Sequence, residues 1–178
     1  MLKPLLHWYL RRFEARYAYD ATYLHELADL SLGAFWRFAR VQMMLRWPAH
    51  APRDAFLAAA ISGALVEDCG PCVQIASDQA VEQGMKGETI KALLSGAPTD
   101  ADAQLGFDYA RALLKASDNL DDLRETITAR WGQKALISLT YIAMAARNFP
   151  VLKRAMGHAK ICQRVRIGDA EVTVLKAA

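Results

Sequence analysis

Apolar residues recur at three- and four-residue spacing along almost the whole chain, and that single period limits the fold more than any motif does. Leu2, Leu5, Leu6, Tyr9, Leu10, Phe13 and Tyr17 fall on one stripe of a helix, with Arg11, Arg12 and Arg16 off it. Asp20 or Thr22 is placed to cap a second helix through Leu24, Leu27, Leu30, Phe35, Phe38 and Met43, bent at Gly33 and stopped by Trp47-Pro48. A third helix starts near Arg53-Asp54 and runs through FLAAAISGALV. Pro71 suits the first turn of a fourth, which Gly84 and Gly87 end. Helices are expected over about 88–95, 102–116 and 120–130, then over 133–147, with a further turn or two past Pro150 to about Lys160. Only the tail departs from the period, where Val165, Ile167, Gly168-Asp169, Val172 and Val174 alternate as a short hairpin does. The expectation is an all-α fold with a small C-terminal hairpin.

A length of 178 residues suits one core, so residues 1–48 are read as an N-terminal helical extension and 49–178 as a single helical domain. Apolar residues make up 53% and charged residues 23%, which excludes intrinsic disorder and low-complexity architectures. Net charge is only +3 but unevenly spread. Residues 1–53 hold 8 Lys/Arg against 4 Asp/Glu, residues 54–128 hold 5 against 13, and residues 129–178 hold 9 against 2. Such a pattern fits segments that pair within or between subunits, and solvated helix faces equally well. No reading helix or clustered basic patch is visible, so nucleic acid is not an expected partner. The longest charge-free runs, 55–66 and 136–146, are about half of what a bilayer requires, and no membrane span is expected. The first residues lack a continuous apolar run of export-signal length, and three cysteines are no secreted disulfide framework; the cytoplasm is the expected compartment.

The chemistry-bearing stretch is Cys69-Gly70-Pro71-Cys72, preceded by Glu67-Asp68. Two thiols separated by two residues at a helix opening can close a disulfide with little backbone movement, so the pair can cycle between dithiol and disulfide. The helix N-terminus stabilises a thiolate by ~0.3–1 kcal/mol when exposed and up to ~2 kcal/mol when partly buried. Glu67 and Asp68 oppose it by charge, unless one of them contacts the thiol and takes its proton. The motif also suggests thioredoxin, but there it follows a strand, and here it follows an Ala-rich helical run with no strand series around it. A structural zinc site needs four ligands, and the other donors, Cys162, His158, His7, His25 and His50, form no second pair; no metal or other cofactor is expected. The bland alternative is two buried, inert thiols, and Cys162 reads as a packing residue.

An Ala-rich helix leading into C-x-x-C, then Ala80, Gly84 and Glu88-Thr89-Ile90-Lys91-Ala92-Leu93-Leu94, resembles the AhpD-like, carboxymuconolactone decarboxylase-like superfamily of all-helical proteins. Phe107-Asp108-Tyr109-Ala110-Arg111-Ala112-Leu113 and Ala145-Ala146-Arg147-Asn148 are similar to its later helices. The likeness covers about residues 51–160. It implies an AhpD-like helical bundle and an oxidoreductase, specifically a thiol-disulfide redox protein that reduces hydroperoxides or disulfides. Dithiol partners such as lipoyl-bearing proteins would re-reduce it, and it would assemble as a homo-oligomer, a trimer or hexamer. By the same resemblance Cys72 matches the peroxide-attacking sulfur and Cys69 the resolving one. The family's relay histidine falls at Ala76 and its glutamate at Leu57, so neither is present. Glu67 is the candidate substitute, with Asp68 behind it and His158 a remote third. Carboxymuconolactone-type decarboxylation would leave the cysteine pair unexplained.

The opposing reading is a non-catalytic oligomeric scaffold or binding module that kept the fold. Trp8, Tyr9, Phe13, Tyr17, Tyr23, Phe35, Trp36 and Phe38 crowd the first 40 residues. A basic aromatic helix of this kind suits a core or subunit interface, and less readily a membrane surface or a partner's groove.

Overall fold

A computed structural model describes residues 2–45, 47, 49–159 and 164–173. Pro48, Cys162 and Val174, each given a role above, lie outside the described residues, as does Lys160. The fold is all-α apart from one hairpin. Its elements are α1 (Leu2–Tyr17), α2 (Thr22–Leu30), α3 (Leu32–Ala39), α4 (Gln42–Leu45), α5 (Arg53–Leu65), α6 (Gly70–Glu82), α7 (Gly87–Ser95), α8 (Ala101–Lys115), α9 (Leu120–Trp131), α10 (Gln133–Ala155), β1 (Arg164–Ile167) and β2 (Ala170–Thr173).

Helix α5 is the axis of the domain. It is apolar on every side, and Leu57, Ala58, Ala59, Ile61, Gly63 and Ala64 are all buried, as expected of a helix enclosed by others. Helices α6, α8 and α10 surround it. Two glycines set how closely the helices approach. A Cβ at Gly63 would stand 2.5 Å from the Ala143 carbonyl on α10, and one at Gly106 on α8 would overlap the carbonyl of Ala55. Neither backbone contact leaves room for a side chain.

Two apolar clusters share α5. One joins it to α6, α7 and β1, and the other to α8, α9 and α10. A third belongs to the N-terminal segment, where Leu6, Leu10, Tyr19, Tyr23, Leu24, Leu27 and Phe35 pack together and against Ile75 of α6 and Leu152 of α10. The extension therefore lies on its own chain's core. His7 and His25 join α1 to α2, their ring planes within 3° and their Nδ1 atoms 2.5 Å apart, flanked by Asp29 and Glu14.

Two elements differ from the sequence expectation. The expected second helix is divided into α2, α3 and α4, and its first break is at Ser31, not Gly33. Ser31 is extended, with φ −162° and ψ 113°, and its hydroxyl accepts a hydrogen bond from the Ala34 amide as the N-cap of α3. Helix α10 runs unbroken past Pro150, which deprives only the Ala146 carbonyl of its usual intrahelical donor. With 23 residues, α10 is the one described helix long and apolar enough to cross a bilayer, by length and composition only. It packs against α5, α8 and α9.

Strands β1 and β2 pair antiparallel with Ile167 opposite Ala170, and Gly168 takes φ +61° in the turn. Val165 and Ile167 turn inward onto the cluster that holds the cysteines. The Gln74 side chain fixes the hairpin to α6, donating to the Arg166 carbonyl and accepting from the Arg166 amide, each at 2.7 Å.

Candidate functional site

The turn between α5 and α6 builds the cysteine pair. After Leu65 the chain folds back, with the Asp68 amide on the Leu65 carbonyl at 2.9 Å and Asp68 itself left-handed at φ +51°, a conformation aspartate tolerates better than most residues. Cys69 then stands extended as the N-cap of α6, its carbonyl accepting from the amides of Cys72 and Val73 at 3.0 Å each. Pro71 occupies the first turn, where a missing N–H costs nothing. The result puts Cys69 and Cys72 at disulfide distance, with Cα atoms 5.3 Å apart.

Both cysteines are buried. Cys69 is 1% exposed and Cys72 4%, because Leu57, Ile61 and Leu65 of α5 and Val165 of β1 close around them and the N-terminal segment lies over α6. One side stays open to a cavity of about 990 Å³ between α1, the α1–α2 turn, α5, α6 and α10. Its inner wall carries Cys72, Ala64 and Tyr19; its outer rim carries Trp8, Arg12 and Arg16, which are exposed. Cys72 is the sulfur on the cavity wall. Ala76 and Leu57, the positions matching the histidine and glutamate of the resembled family, line the same cavity.

Glu67 is buried just before the pair, and both its oxygens are engaged elsewhere. Arg147 Nε donates to one at 2.5 Å and Arg154 to the other at 2.8 Å, while Arg154 also donates to the Glu67 carbonyl. Among the described contacts none joins Glu67 to a sulfur. Asp68 is exposed at the turn, and His158 pairs with Glu26 at 2.8 Å. The fold thus brings Cys69 and Cys72 together beside the Glu67 turn, and does not bring His158, the remote candidate, to the pair.

Three residues at the site carry no sequence signal. Tyr19, in the α1–α2 turn, puts its hydroxyl 3.8 Å from Cys72 Sγ and 3.3 Å from the hydroxyl of Tyr23. Lys153 of α10 is fully buried, donates to the Asp20 carbonyl at 2.7 Å and lies over the rings of Tyr19 and Tyr23 at 4.3 and 5.4 Å from their centroids. Burial pushes both phenols above the ordinary tyrosine range. Two tyrosines four residues apart, with Asp20 between them, look like helix-face aromatics; only the fold brings them to a cysteine 53 residues away. Among the described residues no group of three or more His, Cys, Asp or Glu side chains is placed to hold a metal ion.

The arrangement sets two cysteines at disulfide distance at a helix N-terminus, with Cys72 on the wall of a largely apolar cavity and a phenol beside it. Comparison with protein-family models, with curated proteins and with solved structures finds no match to this chain.

Proposed function

We propose that the protein is a thiol-disulfide oxidoreductase of the AhpD-like kind, reducing hydroperoxides or disulfides through Cys69 and Cys72. One observation carries this: the two sulfurs stand at disulfide distance at the start of α6, and one of them faces a cavity. In the peroxide reaction the Cys72 thiolate attacks the outer oxygen of a hydroperoxide, giving Cys72 sulfenic acid and an alcohol. The Cys69 thiol displaces water from that sulfur and closes the disulfide, and an external dithiol, such as a lipoyl group, reopens it by exchange. Glu67 holds the turn before the pair through Arg147 and Arg154, and a cavity wall with Ala76 and Leu57 where a relay would stand makes for slower peroxide turnover than a full relay gives. The protein works as a homo-oligomer in the cytoplasm. Leu2, Leu5 and Tyr9, each more than 60% exposed along α1, supply an apolar surface suited to a subunit contact.

Burial of both sulfurs favours one rival reading, a permanently closed structural disulfide in a non-catalytic scaffold. Cys69→Ser separates the two. Under the redox reading, hydroperoxide leaves Cys72 of this variant as a sulfenic acid that dimedone traps, whereas an unmodified Cys72 favours the scaffold.

A further inference from the structure

We infer that Tyr19, contributed by the N-terminal segment, is a catalytic hydrogen-bond donor to the Cys72 sulfur, so that this segment completes the reactive site as well as covering it. The inference deepens the proposed redox function and rests on it for the reaction itself. Its physical basis is the placement of one hydroxyl. Tyr19 is buried, with its ring edge-on to Phe13 at 5.8 Å between centroids, and its hydroxyl meets Cys72 Sγ at 3.8 Å, within reach of an O–H···S hydrogen bond given the size of sulfur. With the disulfide closed, Cys72 carries no proton, so along this contact the phenol donates.

The same donor suits each charged form that the reaction creates at this sulfur. A thiolate accepting an O–H bond is stabilised over the thiol, in the same way that hydrogen bonds favour any ionised acceptor. The surroundings keep the donor available. Burial raises the Tyr19 phenol above its ordinary range, so it holds its proton at neutral pH. The charged groups facing it are the Lys153 ammonium over its ring and Asp20 next along the chain. Tyr23 is the other hydroxyl within reach, at 3.3 Å, and by donating to the Tyr19 oxygen it leaves the Tyr19 proton for the sulfur.

With a hydroperoxide, the same hydroxyl supplies the proton that the leaving group needs. The Cys72 thiolate forms an S–O bond as the O–O bond breaks; sulfur is oxidised to sulfenic acid and the peroxide is reduced to an alkoxide. The alkoxide takes the Tyr19 proton and leaves as the alcohol, and the phenolate regains a proton from solvent through the cavity. An alkoxide is a stronger base than a phenolate, so the transfer runs downhill.

The test reads the thiolate directly and needs no turnover. In reduced Cys69→Ser protein, iodoacetamide modification of Cys72 is followed against pH by peptide mass, with and without Tyr19→Phe, and Tyr23→Phe as a comparison. Tyr19→Phe is expected to slow modification at pH 7 about tenfold and to move the pH midpoint upward, and Tyr23→Phe to do so less. Superimposable profiles with and without Tyr19→Phe would overturn the inference. If Tyr19→Phe fails to fold by circular dichroism, fluorotyrosine at position 19 decides, since it keeps the ring and strengthens the donor: a Cys72 midpoint moved downward supports the inference, and an unmoved one overturns it. An unchanged profile in a protein that turns over hydroperoxide sinks this inference alone. A clear Tyr19 effect in a protein without turnover upholds the contact and sinks the proposed function.

Discussion

Glu67 shows at the level of single residues how a position next to a reactive motif can be held by the fold. Its carboxylate is 7% exposed while Arg147 and Arg154 are 42% and 53% exposed, so removing the acid leaves two guanidiniums that can turn to water. Glu67→Gln should therefore cost about 1–2 kcal/mol in urea unfolding, less than the 3–5 kcal/mol of a sealed pair. It should leave the Cys72 alkylation profile in place; a profile displaced as far as by Tyr19→Phe would make Glu67 the proton acceptor instead. Ser62 is the opposite case. Among the described residues its hydroxyl is the buried side-chain group without a hydrogen-bond partner, and Ser62→Ala should be neutral or stabilising by about 1 kcal/mol in the same assay. Cys69 and Cys72 were legible because spacing and a Gly-Pro spacer are local signals. Tyr19 and Lys153 were not, because a tyrosine reads as an apolar stripe and a lysine as surface until tertiary contacts fix them.

Whole elements follow the three- and four-residue period closely, and the departures have identifiable causes. Ser31 divides α2 from α3 because its hydroxyl offers the Ala34 amide a cap, a signal present in the sequence but weaker than the glycine two residues on. Pro150 reads as a boundary, yet α10 continues through it because packing along α5 and α8 outweighs one lost hydrogen bond. The hairpin is legible as alternation, but its docking is not, since the paired bonds from Gln74 to Arg166 span 92 residues. Gln74→Ala should raise amide exchange in β1 and β2 well above that in α5, and equal protection would show that Val165 and Ile167 alone hold the hairpin. Gly106→Ala should destabilise by about 1–3 kcal/mol by forcing α8 off Ala55.

At the scale of the molecule, a helical core and an N-terminal segment meet over one cysteine pair, and tyrosines are buried within both parts. Burial holds Tyr19, Tyr23 and Tyr109 above the ordinary value of 10.0. Below pH 10 folded and unfolded chains both keep these protons; above it the unfolded chain releases them first, so stability should fall as pH rises past 10. Urea midpoints across pH 8 to 12 check this, and the fall should shrink in the Tyr19→Phe, Tyr23→Phe double variant. The proposed function requires the bond between Cys69 and Cys72 to form and break in the folded protein. Counting free thiols in native protein, after a dithiol and then after a hydroperoxide, tests it most directly. The expected result is two thiols gained with the dithiol and the same two lost again with the peroxide, mapped to the Cys69–Cys72 peptide. A bond that no dithiol opens without denaturant, or a reduced pair that peroxide leaves untouched, would contradict it.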